Sequence, residues 1–442
     1  MQRDDGQSML ARLFSDYGMI VVLALLGLLF SALTLKQQYP TGADAGRQVA
    51  ERVFKTHGAD ASVMIVTRDT KEDRLFSDAA LEVLTGARLD GVVVVNGKPA
   101  DLRKAIDVRL EQNLPIDAIV ANDVTARWTV YDKYPEVGSS KCATPTPYMW
   151  PDFLKSSNLL SVANQTAIYA IIAIGMTMVI ICGQIDLSVG SLVALSAVAT
   201  AILVRDVGSG KESGIGIVVL ACVLGVALCA GLGTVVGTLV ARVQIPSFIV
   251  TLAVMSMASG LAFRLSEAQS VSALPESFFW LGGGRLGGVP VPVWVMIGLY
   301  VVAHVLMSRT TFGRYIYAIG GNAEAARLSG VPVKRMLVTV FAICGGLAGL
   351  GGVIQASQLA AGDPKFGSMY ELEVIAAVVV GGTSLMGGQG KIFGTLIGAF
   401  IIAVIKNGMN LTNVEPFNQK IVLGAVLLAA VWLDTVKRKR GW

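Results

Sequence analysis

The residues of this sequence that could do chemistry are few, and most stand in or beside long apolar runs. The stretch "GQIDLSVGS" (183–191) sets Asp186 and Ser188 between "AIYAIIAIGMTMVIIC" (167–182) and "LVALSAVATAILV" (192–204). An ionised Asp at the centre of a membrane helix costs roughly 2.5–3.5 kcal/mol on insertion scales, so its presence asks for a reason. Glu371 and Glu373 open a second run, and Gln355 closes a third. "LMGGQGKI" (385–392) approaches the phosphate-binding pattern G-x-x-x-x-G-K-[ST]. It fails at both ends, with Leu385 for the first glycine and Ile392 for the Ser/Thr, so close turning by glycine is expected and ATP binding by this chain is not. His57 and His304 have no evident catalytic partner, and neither HExxH nor GxSxG occurs. No catalytic residue is expected. The five cysteines show no metal-ligand spacing and no disulfide framework, so no metal site is expected either.

The elements that must position these groups follow from composition. Of 442 residues, 53% are hydrophobic and only 15% charged, well below the charged share of a soluble domain. About ten runs are long enough to suggest a crossing: 18–35, 159–182, 187–204, 215–240, 246–264, 291–307, 336–357, 371–386, 393–411 and 419–436. The runs at 187–204 and 371–386 are short and predict bent or partial helices. Lys and Arg collect in 308–335, with one acid, Glu324, and again in "KRKR" (437–440). By the positive-inside rule both termini and that loop are cytoplasmic. The first run predicts a retained anchor rather than a signal peptide, because its leader contains acids and no small-residue cleavage site follows. On this topology Asp186 lies near the inner turn. There it or Ser188 caps the next helix, or both face a pore.

Residues 36–157 do not belong in a membrane. "ASVMIVTRD" (61–69), "LDGVVVVNG" (89–97) and "IDAIVAND" (116–123) read as strands. "KEDRLFSDAALEVLTGA" (71–87) reads as a helix with Leu75, Ala79, Leu81 and Leu84 on its inner face, and "ADLRKAIDVRLEQN" (100–113) as another. The fold class expected is an all-α polytopic membrane protein of about ten helices with a small inserted α/β extracytoplasmic domain. Its divisions are 1–35 (first helix), 36–157 (insert), 158–436 (membrane domain) and 437–442 (basic tail). The insert resembles part of one lobe of a periplasmic sugar-binding protein, where a strand ending in Asn-Asp borders the ligand cleft; Asn122 and Asp123 would hold that place. A folded domain without a sugar site, a docking platform and a vestigial site all remain open.

In the loop 308–335, "GGN" makes a turn, Asn322 can cap a helix, and "AEAARLSG" (323–330) is a short helix closed by Gly330. Three blocks then stand in register: "NQTAIYAIIAIGMTMVIICGQIDLSVGSLVALS" (164–196), "TFGRYIYAIGGNAEAARLSGVPV" (311–333) and "YELEVIAAVVVGGTSLMGGQGKIFGTLIGAFII" (370–402). Together they resemble the ribose-type permeases of bacterial ATP-binding cassette importers, over about two-thirds of the chain. The resemblance implies a permease homodimer, cytoplasmic ATPase subunits that use ATP and Mg, a periplasmic sugar-binding protein, and a monosaccharide as substrate. No nucleic-acid partner and no cofactor on this chain are expected. It also implies an ATPase-coupling helix made by Gly320, Gly321, Asn322, Glu324, Ala325, Ala326, Arg327 and Gly330. Asp186, Ser188, Gln355, Glu371 and Glu373 are the pathway candidates. The insert departs from the family pattern. An ion-coupled carrier, or a permease for a nucleoside or branched-chain amino acid, is the alternative.

Overall fold

The structure is a computed structural model that describes residues 9–89, 91–134, 137 and 141–439. Residues 1–8 of the N-terminal segment and 440–442 of the basic tail lie outside the described residues. The chain divides into two compact units, one made by residues 1–34 and 152–442 and the other by Leu35–Pro151.

In the smaller unit, β1 (Leu35–Gln38) carries the chain in and β6 (Tyr148–Pro151) carries it out. The two pair antiparallel, Leu35 opposite Pro151. Between them run α2 (Gly42–His57), β2 (Val63–Thr67), α3 (Lys71–Gly86), β3 (Val92–Asn96), α4 (Pro99–Glu111), β4 (Ala118–Ala121) and β5 (Cys142–Ala143). The last four strands form a parallel sheet of order β3-β2-β4-β5, with Val63 opposite both Val92 and Ala118. Every residue of β2 is buried, as expected for a strand covered on both faces. Its side chains alternate: Val63 and Ile65 pack with Val49, Val53, Phe76 and Leu84 of α2 and α3, whereas Met64 and Val66 pack with Leu102 and Ile106 of α4. The inner face of α3 is therefore built around Phe76, Ala80 and Leu84, while Leu75 points outward. Thr70 starts that helix by accepting from the Asp73 amide.

The larger unit holds α1 (Met9–Leu33), α5 (Ser156–Ile181), α6 (Val189–Ile202), α7 (Ile215–Thr238), α8 (Ser247–Leu265), α9 (Glu276–Gly283) and α10 (Val291–Arg309). It continues with α11 (Thr311–Gly321), α12 (Ala323–Leu328), α13 (Val333–Leu359), α14 (Tyr370–Val380), α15 (Ile392–Leu411) and α16 (Pro416–Lys439). Among the described residues, seven helices are long and apolar enough to cross a membrane: α5, α6 with its π-turn extension to Val207, α7 with its extension to Val243, α8, α10, α13 and α15. From Thr166 to Ile181 helix α5 is largely apolar and buried nearly all round, which marks that stretch as the centre of the bundle. Small residues let α13 approach its neighbours: a Cβ added at Gly345 would lie 2.4 Å from the carbonyl oxygen of Cys229 on α7. Helix contact through small residues is the usual solution where lipid removes the hydrophobic drive between helices. Cross-helix hydrogen bonds add to it, from Ser196 to the Gly349 carbonyl (2.8 Å), from Tyr300 to Ala170 (3.0 Å) and between Thr177 and Thr395 (2.7 Å).

Of the two runs expected to be short, one is: α14 has 11 residues, about 16 Å at the α-helical rise, whereas α6, which begins at Val189, reaches a spanning length through its π-turn extension to Val207. The chain between Ile181 and Val189 is non-helical and nearly all of it is buried or half-buried.

Candidate translocation site

Asp186 lies on that non-helical connection. Gly183, at φ 73°, turns the chain out of α5. Asp186 is completely buried; its Oδ1 accepts from the Ser188 amide (2.9 Å) and the Ser188 hydroxyl (2.6 Å), while Oδ2 has no hydrogen-bond partner. One expectation is corrected here. Asp186 does not cap α6: it closes an Asx turn onto Ser188, and Ser188, the residue preceding the helix, makes no capping bond. The carboxyl is enclosed by the bundle, and the thiol of Cys344, midway along α13, faces it. The physical reason is the late start of α6. Non-helical chain from 184 to 188 is enclosed by the bundle, and α6 starts where a Cβ on Gly190 would meet Glu371 and the Gly367 carbonyl. Irregular backbone in a membrane is tolerated only where protein surrounds it.

The start of α14 meets the start of α6 at this point. Met369 turns the chain at φ 69°, and Glu371 and Glu373 fall in the first turn, where the helix dipole favours negative charge. Their environments differ. Glu373 is held by Lys406 of α15 at 2.8 Å, and Lys406 also donates to the Tyr169 hydroxyl at 3.1 Å and sits over its ring. Glu371 instead borders a cavity of about 400 Å³ together with Gly190, Ser191, Met255, Ser256, Ser259, Phe263, Lys365, Phe366 and Ser368. Of the five pathway candidates only Glu371 lines it. Ser188 donates to Asp186, and Gln355 is half-buried elsewhere on α13, with a buried and unpartnered Oε1. Ser256, Ser259 and Phe263 were not singled out from sequence. Their spacing of three and four residues puts them on one face of α8, and that was the available signal.

Serine hydroxyls, one carboxylate, one ammonium and two phenylalanine rings around a cavity of this size suit a small polyol with apolar ring faces. The volume is within the range of small-molecule sites.

At the other functional region, α10 ends at Arg309, α11 follows, and Asn322 starts α12. The Asn322 Oδ1 accepts from the amides of Glu324 (3.1 Å) and Ala325 (2.9 Å). Ala326 is the buried residue that seats α12, and Gly330, at φ 85°, ends the connection. Arg327 and Glu324 pair at 2.5 Å, both exposed, and the guanidinium holds the Glu324 carboxyl below its ordinary range. Gly321 is open on its Cα side, whereas Gly320 is pressed against Ile181 and Gly388.

In the smaller unit, Asn122 is turned inward. Its Oδ1 accepts from the amides of Val124 and Thr125 and from the Thr125 hydroxyl, so the side chain holds its own loop rather than facing a cleft. Asp123 is half-buried after β4, within electrostatic reach of Arg68, whose own partner is Asp73 at 2.7 Å.

The family to which the larger unit belongs follows from comparison with known proteins. The chain is 42% identical over 293 residues to the ribose import permease protein of Escherichia coli K12, covering 65% of this chain and 88% of that protein. It is 43% identical over 289 residues to the ribose import permease protein of Bacillus subtilis 168, covering 65% and 87%. The L-arabinose ABC transporter permease protein of Azospirillum brasilense is 41% identical over 290 residues, covering 66% and 83%. No solved structure matches. The family model described as "Branched-chain amino acid transport system / permease component" matches residues 158–431, and the chain belongs to that family of permeases.

Proposed function

We infer that this chain is the membrane-spanning permease subunit of an ATP-binding cassette importer that carries a monosaccharide across the inner membrane. The observation that carries the reading is the 41–43% identity to ribose and arabinose import permeases over 289–293 residues, 65–66% of the chain. The cavity between α6, α8 and the start of α14 fits a sugar in size and chemistry. Seven long apolar helices, the shorter apolar stretches Gly18–Leu33 and Pro416–Trp432, and α14 together make ten membrane-embedded helices. Both termini and α12 are then cytoplasmic and Leu35–Pro151 is extracytoplasmic. ATP and Mg act in a separate ATPase subunit, which closes on α12. A second copy of the permease completes the pathway, and a periplasmic sugar-binding protein delivers the substrate. Asp186 and Ser188 hold the connection that positions Gly190 and Ser191, and Glu371 lines the path; Gln355 and Glu373 support it from behind.

Purification of the tagged chain from its native membranes tests the assembly. A stoichiometric ATPase in the eluate, lost on joint Glu324→Ala and Arg327→Ala substitution, is the expected result. An eluate without an ATPase, under conditions that preserve a known importer, would overturn the reading in favour of an ion-coupled carrier.

A further inference from the structure

The turn 381–391, which approaches the phosphate-loop pattern without matching it, has a defined place in the fold. It joins α14 to α15, and its tip is built on Gly387 and Gly388, at φ 85° and 75°. Those two glycines lie backbone to backbone against two other elements. The Gly388 amide donates to the Ile181 carbonyl at the end of α5 (2.8 Å), and the Tyr317 hydroxyl of α11 donates to the Gly390 carbonyl (2.8 Å). A Cβ on Gly388 would lie 3.1 Å from Gly321, the residue before the cap of α12, and one on Gly387 would lie 3.0 Å from the Gly320 oxygen. The ends of α5 and α11 and this turn therefore meet with no side chain between them.

From the same turn Met386 projects with 71% of its surface exposed, and from the adjoining α12 Leu328 projects with 76% exposed. Non-helical backbone does not face lipid, so Met386 faces water or a protein. Methionine adapts to irregular partner surfaces, and this one stands on a turn whose glycines lie against Gly320 and Gly321, just before α12. We propose that Met386 and its glycine turn form a second docking element for the ATPase subunit beside α12, and pass its movement directly to the end of α5. This rests on the importer reading above. The partner is the ATPase because the turn is continuous with α12 through Gly320, Gly321 and Gly388. Displacement of α12 moves Gly321 against Gly388, and Gly388 holds Ile181, five residues before Asp186.

A photo-crosslinking amino acid placed in turn at Met386, at Leu328 and at Leu286 (exposed, and at the opposite end of α10) tests this in the full chain co-expressed with its native ATPase. Adducts to the ATPase from positions 386 and 328 but not 286 are expected. An adduct from 328 without one from 386 would overturn the proposal and leave the importer reading standing. Adducts from neither would overturn both. In the same system Met386→Glu, an exposed position that leaves the core untouched, should lower the co-purified ATPase several-fold, with Met386→Leu close to wild type. Equal ATPase recovery with Met386→Glu would contradict a docking role.

Discussion

Removing both members of the Glu373–Lys406 pair should destabilise the bundle by less than the sum of the two single removals. The ammonium and carboxylate are 2.8 Å apart, and the side chains of Lys406 and Glu373 are 26% and 14% exposed. At that separation and an effective dielectric constant of about 20, their attraction is about 6 kcal/mol. Desolvation offsets most of it, at several kcal/mol per ion when burial is complete. The incomplete burial here reduces both terms, leaving a coupling of about 2 kcal/mol, at the low end of measured values for close charge pairs. Lys406→Met leaves Glu373 charged and unpaired, and Glu373→Gln leaves Lys406 in the same condition. Each single change should cost about 3 kcal/mol, the lower edge for breaking a buried pair. The double variant should cost less than their sum by the coupling energy, which a double-mutant cycle isolates. Equilibrium unfolding of the four purified proteins in one detergent mixture is the assay. Strict additivity would refute the reasoning, because it would mean that neither charge depends on the other for its place in the membrane.

Asp186→Ala removes the acceptor for the amide and hydroxyl of Ser188 and should cost about 1–3 kcal/mol of stability, whereas Asp186→Asn, which keeps Oδ1, should cost clearly less in the same unfolding assay. Glu324 has its carboxyl lowered by Arg327, so the pair's contribution is present above the free carboxylate range and is lost as pH falls through the lowered value. ATPase retention on the tagged permease should therefore be constant near neutral pH and fall only in acid, and Glu324→Gln should flatten that fall. Joint Ser256→Ala and Ser259→Ala substitution removes two hydroxyls from the cavity. It should raise the half-saturating sugar concentration roughly threefold to tenfold, as expected for a loss of about 0.5–1.5 kcal/mol, with protein levels in the membrane unchanged.

What could be read before the structure was what local pattern controls. β2, β3 and β4 fall inside the runs that alternation and β-branched content mark as strands, and Asn322 caps a short helix because its side chain needs only the next three residues. The eleven-residue α14 was visible as a short run that predicts a bent or partial helix. Pattern was less informative where pairing is non-local. Glu373 and Lys406 are 33 positions apart, and nothing in either flank names the other. The full burial of Asp186 is not legible because no local rule says that 184–188 stays non-helical; the packing of Gly190 on Gly367 and Glu371 is non-local. Phe76 displaced Leu75 from the inner face of α3 because both lie at one edge of the apolar stripe, and the close approach of α2 selected between them. Helix α2 itself, rich in charge and without an apolar run, was not read at all.

Uptake of labelled pentoses is the most direct test of the central claim. A native-host strain lacking this permease, with and without the restored chain, would be assayed at low sugar concentration for D-ribose and L-arabinose. The expected result is loss of uptake of at least one monosaccharide, recovery with the restored chain, and persistence of that uptake when ion gradients are collapsed while cellular ATP is maintained. Uptake that is unchanged by the deletion across monosaccharides, or that collapses with the ion gradients at constant ATP, would contradict an ATP-driven monosaccharide permease.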